Sequence, residues 1–345
     1  MKHDPYPCVR GTQWRSAGGQ LTGARLLGHT ANDDSNARPS QYAGTAGARA
    51  LPRNCSPGSR RAIDTELFRG RDAAIGQFRC PTDHPLFHET GPISDCLVVF
   101  PRTSVWIEHD GERRFVADPT VVTIYNRAQR YVRFPISSDG DRSDWFAVSD
   151  DVAREVSSRF DPAAAEAELP FRVASAPSSP GLYFRQRAAV SQMERGALDA
   201  LAAEEVAMEI VGEVVASAYR GRASGVERCA PARRRRRDLA AAARAEIAAT
   251  YSDNRGVRDI AAAVGATPFH LCRVFREQTG LSMREFRNEL RARRALELLG
   301  SDSTDRVSLS AVALDLGFAS HAHLVVMMRR HYGAPPGHIR RQLRS

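Results

Sequence analysis

The chain has 345 residues, of which 49 are basic and 40 acidic, for a formal net charge of +9. That length accommodates two or three domains with real cores. No run approaches the roughly 18–20 consecutive apolar residues that a membrane helix needs, and Met1 to Gln20 carry no apolar signal core, which excludes a helical span and speaks against secretion.

Six cysteines, at 8, 55, 80, 96, 229 and 272, form no C-x-x-C pair. A zinc ribbon and a thioredoxin-type redox pair are therefore disfavoured, and a cytoplasmic protein with free thiols is expected. Lys2 is the sole lysine, a bias that reflects GC-rich codons rather than function. The distribution of charge is more informative. From Arg233 onward there are 21 arginines and 11 acidic residues, leaving 28 basic and 29 acidic residues in the rest. A basic segment tethered to a near-neutral one points to a polyanionic partner, nucleic acid first.

Residues 1–62 lack periodicity and are rich in Gly, Arg, Ala, Ser, Asn and Pro, so a disordered extension is expected. From about Cys80 to Phe146 the pattern turns to short strands. Residues 96–100 are an apolar run, and residues 103–109 and 112–117 flank Asp110-Gly111, a two-residue hairpin signal. Residues 121–125, 131–134 and 144–148 continue the series, which reads as a small barrel or jelly roll. Helices are expected at 151–160, 180–195 and 197–219, the last with Leu198, Leu201, Val206, Ile210 and Val214 on one stripe. That helix is long enough to cap a barrel or pair with a second subunit. Residues 221–232 read as a linker.

The basic third reads as all helix and contains a duplication. After a helix near 235–251, Ile260-Ala261-Ala262-Ala263-Val264-Gly265 recurs 52 residues later as Val312-Ala313-Leu314-Asp315-Leu316-Gly317, and Leu271 recurs 53 later as Leu324. In the first unit a short helix ends at Gly265, which takes a left-handed backbone without a Cβ penalty. Thr267-Pro268 opens the next helix, with Leu271, Val274 and Phe275 inward and Phe269, His270, Arg273 and Arg276 outward. Two helices joined by such a turn are the helix-turn-helix geometry. Ser308, Gly317 and Ser320 repeat the logic in the second unit. Between the units, a helix over 282–299 spans roughly 27 Å, enough to hold two recognition helices in successive major grooves.

At these residues the segment resembles the DNA-binding domain of the AraC/XylS family of bacterial transcription regulators. The matching strings are Asp259-Ile260-Ala261, the run from Thr267 to Arg276, Thr279-Gly280-Leu281-Ser282, Arg291-Ala292-Arg293-Arg294-Ala295, the run from Val312 to Phe318, and Tyr332-Gly333-Ala334-Pro335-Pro336. The resemblance covers about 100 residues and implies a seven-helix fold that binds promoter DNA. The strand-rich part resembles the cupin-like sensor domains that precede such segments. The expected architecture is thus α+β and multidomain: extension 1–62, a cupin-like β-barrel with helices over 63–220 for sensing or dimerisation, linker 221–232, and an all-α tandem helix-turn-helix domain over 233–345.

The second unit departs from the pattern. Val326 stands where Arg273 does in the first, which removes a phosphate or guanine contact, and Met328 replaces Phe275 in the core. The DNA-contact candidates are Phe269, His270, Arg273, Arg276, His321, His323, Val326 and Arg294. Arg291 and Arg293, like Arg294 beside them on the connecting helix, read as surface salt-bridge partners or phosphate contacts, and Arg233 to Arg237 as a phosphate clamp or a flexible solvated charge run on a linker. Trp106, Phe115 and Tyr125, with Trp145 beside them, are the effector-pocket candidates or ordinary core. Cys80 and Cys96 read as inert thiols or oxidant sensors. His84, His88, Glu89 and His109 lack the H-x-H pair of a metal-binding cupin, so no metal or cofactor is expected. The partners expected are double-stranded promoter DNA, a small-molecule effector, a second copy of the chain and, for an activator, RNA polymerase. The rival reading is a metal-dependent cupin enzyme fused to a DNA-binding module; no enzyme is expected.

Overall fold

The computed structural model describes residues 64–109, 113–222, 231–301 and 308–344. The segment 1–62, the Asp110-Gly111 turn and residues 223–230 of the expected linker lie outside them.

Strands begin earlier than the alternation of apolar residues indicates. β1 (Asp64–Arg69) and β2 (Ala73–Cys80) precede the first expected strand. β2 hides in the sequence because both its faces are buried. Ala73 and Ile75 face one core while Ala74, Phe78 and Cys80 face another, which erases the period of two. Gly76 lies under Trp145, where a Cβ would come within 2.2 Å of the indole.

The expected strands follow as β4 (Cys96–Pro101), β5 (Val105–His109), β6 (Phe115–Ala117), β7 (Val121–Tyr125), β8 (Tyr131–Pro135) and β9 (Asp141–Val148), with short additions β3 (Glu89–Thr90) and β10 (Ser175–Pro177). The β5–β6 hairpin forms, but Ile107 pairs with Phe115. A two-residue Asp110-Gly111 loop would instead set Ile107 opposite Arg114, so the connection is at least one residue longer than expected. The strands make two antiparallel sheets, β1-β2-β9-β4-β7-β10 and β3-β8-β5-β6. They pack around Phe78, Phe87, Val105, Ile107 and Trp145. Among the described residues the two ladders are separate, and the closed barrel of the expectation takes the form of two packed sheets.

Helices cover the outer face of the larger sheet. After α1 (Asp150–Ser158) come α2 (Pro180–Glu194) and α3 (Ala200–Arg222). α3 buries Ala203, Ala207, Ile210, Val211, Val214 and Val215, at the three- and four-residue spacing of one helical face. It lies against β2, β9 and β10, so it caps the sheet. Leu201, placed on its stripe by the sequence, is 68 % exposed.

The basic third holds seven helices among the described residues: α4 (Pro231–Ala249), α5 (Val257–Ala263), α6 (Pro268–Thr279), α7 (Met283–Gly300), α8 (Leu309–Asp315), α9 (His321–Tyr332) and α10 (Pro336–Arg344). Their boundaries follow local chemistry. Ser282 and Glu285 form a capping box at α7, and the Ser308 and Ser320 hydroxyls accept from the third residue on. Gly317 has φ +76°, and a Cβ there would meet the Ser252 carbonyl at 2.0 Å. The two units are held differently. α4, α5 and α6 share their own core around Ile247, Ile260, Leu271, Phe275 and Phe286. Val312, Leu316, Leu324 and Met328 of the second unit instead join one continuous core with α2, α3 and the larger sheet.

A buried charge network crosses the joint between the two domains. Glu297 of α7 accepts from Arg102 and from Tyr183 Oη at 3.0 Å, and pairs with Arg187 Nε at 3.0 Å. Asp144 of β9 pairs with Arg187 at 2.7 Å and with Arg102 at 3.4 Å. The two carboxylates and two guanidiniums are each at most 8 % exposed. Around it, Arg293 donates to the Ser178 carbonyl at 2.7 Å and Arg244 to buried Asp118 at 2.6 Å.

Removing one charge from such a network leaves another uncompensated, at a cost of about 3–5 kcal/mol. Glu297→Gln is expected to lower the unfolding free energy by about that amount in urea titration, whereas breaking the exposed Arg159–Glu155 pair should be near neutral. A pH effect follows as well. Burial, with Arg293 and Arg330 nearby, lowers His331 from 6.5 to about 4. The unfolded chain therefore binds the extra proton between those values, and stability falls as pH drops from 6.5 to about 4. Burial raises the Glu297 carboxyl, but Arg102 and Arg187 outweigh it and hold it below the usual 4.5, so its contribution is lost only below that value. Urea midpoints should thus decline in two stages, and His331→Gln should flatten the first alone.

Candidate nucleic-acid interface

α6 is turned so that its apolar side chains serve the first unit's core and its polar ones face solvent. Leu271, Val274 and Phe275 are buried, while Phe269, His270, Arg273 and Arg276 are exposed. Phe269 is 83 % exposed, an unusual position for a large aromatic side chain that no core requires. The four side chains therefore form one outward row.

α9 repeats the arrangement with different chemistry. Leu324, Met327 and Met328 are buried, and His321, Val326, Arg329 and Arg330 are exposed. Val326, at 60 % exposed, presents an apolar surface where the first unit presents Arg273. His323 is half-buried, its ring edge-on to Phe318 at 5.3 Å, and its Nδ1 accepts from the Ala319 amide at 3.4 Å. It therefore belongs partly to the turn. Arg329 stands 53 residues after Arg276 and shares its outward placement. The same offset that relates Leu271 to Leu324 marks it as a candidate that the sequence reading omitted.

The five arginines 233–237 are the exposed first turns of α4, not part of a linker. Arg236 pairs with Glu277 of α6 at 3.6 Å, which places this basic run beside the outward row. The connecting-helix arginines do not join it. Arg291, read as a surface residue, is buried and donates to the backbone carbonyls of Tyr251 at 2.6 Å and Asp253 at 3.1 Å, closing the end of α4. Burial, with Arg287 close by, lowers its guanidinium to about 10. Arg293 is buried against Ser178 and the Tyr183 ring. Arg294 is half-buried and lines the cleft beside Arg102, Tyr251 and Leu290. The geometry thus brings Phe269, His270, Arg273 and Arg276 together on α6, puts His321 and Val326 on α9, and leaves Arg294 at the domain joint.

Of the effector candidates, Phe115 and Tyr125 come together and Trp106 does not. Alternation along β5 and its pairing with β6 put Phe115 on the face of Ile107, while Trp106 is on the opposite face under Arg114. Phe115 and Tyr125 pack with His109 and Tyr131 in one aromatic cluster, with Tyr125 and Tyr131 rings 4.9 Å apart. Trp145 is buried and donates to Asp64 at 2.8 Å. Cys80 and Cys96 are buried, and burial pushes the Cys96 thiol up to about 12, which removes it from thiolate chemistry. Among the described residues no three His, Cys, Asp or Glu side chains stand together as metal ligands, and no helix is long and apolar enough to cross a membrane.

Residues 260–342 match the helix-turn-helix domain family. Several solved structures are similar to the chain. One is an AraC-type DNA-binding domain-containing regulator from Chromobacterium violaceum, 28 % identical, covering 31 % of this chain and 92 % of its own, with TM-score 0.29. Another is the DNA-binding domain of AdpA in complex with a target DNA, 26 % identical over 32 % of this chain and 92 % of its own, with TM-score 0.27. ToxT from Vibrio cholerae O395 is 11 % identical over 81 % of this chain and 98 % of its own, with TM-score 0.31. No curated protein matches the chain.

The contrast between Arg273 and Val326 gives a direct test. Val326→Arg is expected to tighten binding to duplex DNA and to steepen the salt dependence by about one unit of slope. An unchanged slope in filter binding across salt concentrations would remove position 326 from the DNA-facing surface.

Proposed function

We infer that this chain, whose residues 260–342 match the helix-turn-helix domain family, is a DNA-binding transcription regulator of the AraC type that reads promoter DNA through α6 and positions itself through α9. The observation that carries the reading is the repeated outward face. Two helices, 53 residues apart in register, bury equivalent apolar side chains and turn the opposite face outward, and an 18-residue helix joins their units. Major-groove recognition needs such outward, core-free side chains at a fixed separation. Arginine contacts to phosphates supply affinity, and base-edge contacts supply the choice of site.

Arg273 is assigned a base or phosphate contact, Phe269 and His270 groove contacts, and Arg276 a backbone contact. His321 and Val326 face the second groove, where Val326 suits a thymine methyl. Arg233 to Arg237 neutralise phosphates flanking the first unit. The two-sheet domain serves as a cupin-like sensor, and no catalytic role is assigned to it. A homodimer and contact with RNA polymerase would follow from the way such regulators act at promoters.

Binding of the full chain to the DNA upstream of its own gene, beside Arg273→Ala, tests the reading. A loss of about 1–3 kcal/mol confined to one sequence is expected for a guanine contact. An equal loss on every sequence would make Arg273 a phosphate contact instead. Binding of the wild-type chain no tighter to any upstream sequence than to random DNA would overturn the regulator reading.

A further inference from the structure

The joint between the domains holds a cavity of about 570 Å³ whose walls carry six arginines against two glutamates. Apart from Leu298 and Gly300, every lining residue is polar or charged. The cavity opens beside the buried network, and three further guanidiniums on its walls stand outside that network. Glu297 is already occupied, one oxygen by Arg102 and the other by Tyr183 and Arg187. Arg79 of β2, Arg142 of β9 and Arg294 of α7 make no ion pair among the described residues, and Arg294 hydrogen-bonds the Tyr251 phenol from the cavity edge.

Arg142 is the most telling of the three. It is half-buried, and its Nε is buried without a hydrogen-bond partner. Buried donors are nearly always satisfied, and one that is not calls for an explanation. Burial, then the Arg102 and Arg79 guanidiniums, lower it to about 10, with Glu297 opposing and Arg294 adding to the effect. Like charges gathered around a cleft with one unfilled donor create a positive potential that a matching anion would relieve.

We propose that this cavity binds a small hydrophilic anion bearing two or more phosphate or carboxylate groups, held by Arg79, Arg142 and Arg294 across the domain joint. Phosphate and carboxylate share the planar, bidentate recognition that arginine favours over lysine. An apolar tail finds only Leu298 there, so a long-chain monocarboxylate does not fit. Arg79 and Arg142 belong to the sheet domain and Arg294 to the helix that carries both recognition helices. Occupancy therefore adds a bond between sensor and reader, a regulatory sense that rests on the function proposed above.

The test is isothermal titration calorimetry of the full chain, without DNA, in a buffer free of polyanions. Pyrophosphate and citrate are the probes, and decanoate is the apolar monoanion control. One saturable site per chain is expected for pyrophosphate or citrate, and which of them binds tells phosphate from carboxylate chemistry. Arg142→Gln and Arg79→Gln should each weaken it at least about tenfold; Arg79 is exposed, so its substitution keeps the test valid should Arg142→Gln fail to fold. No saturable binding of either polyanion, binding that ignores both substitutions, or preference for decanoate would overturn the proposal. So would flat titrations together with a shallower salt slope of DNA binding in Arg142→Gln, because the arginines would then face nucleic acid. Since DNA is absent from the titration, this failure is separable from failure of the regulator reading.

Discussion

Glu297 is the residue on which the arrangement of the domains depends. It is the one member of the buried network contributed by the helical third; Arg102, Asp144, Tyr183 and Arg187 all come from the sheet domain and its helices. Two guanidiniums balanced by two carboxylates are tolerable in a low-dielectric joint, and one missing charge is not. The balance therefore holds only when α7 is seated. Because α7 also carries the helix-turn-helix units at its two ends, seating it orients both recognition helices relative to the sheets.

The two units respond to that seating in different degrees. The second is continuous with the sheet domain through a single apolar core that runs from the larger sheet through α2 to α9 and α10. The first has its own core and meets the sheet domain through Ile136 and through polar contacts such as Arg244 with Asp118 and Arg113 with Asp238. The chemistry of the recognition helices parallels this division. The more independent unit carries Arg273 on its outward face, and the anchored one carries Val326 at the equivalent position. The net charge of the basic third overstates what faces DNA, since Arg244, Arg287, Arg291 and Arg293 are committed to protein oxygens.

Legibility in the sequence followed the range of the interactions. α5 to α9 could be placed within a residue or two because caps, turn glycines and helical spacing are local signals, as at Ser282, Gly317 and Ser320. The outward row of α6 was readable for the same reason. β2 was not, because burial on both faces removes the alternation that announces a strand. Arg293 does pair with Glu289 four residues before it, but Arg291 and Arg293 were wrongly placed at the surface because their other partners are carbonyls 40 and 115 residues away; nothing in the local pattern distinguishes a clasp from a surface charge. Trp106 and Phe115 were grouped as pocket residues, although register sends them to opposite faces of their sheet. The basic cavity was invisible for a related reason, being assembled from β2, β9, α2 and α7.

The central claim is that α7 presents two unequal recognition helices to successive major grooves. Hydroxyl-radical footprinting of the full chain on its binding site, combined with base substitutions across that site, tests it most directly. Two protected patches on one face of the duplex, about 10–10.5 base pairs apart per protomer, are predicted. Sequence dependence should concentrate in the patch under α6. A single patch, or equal sequence dependence in both, would contradict the division of labour between the two units.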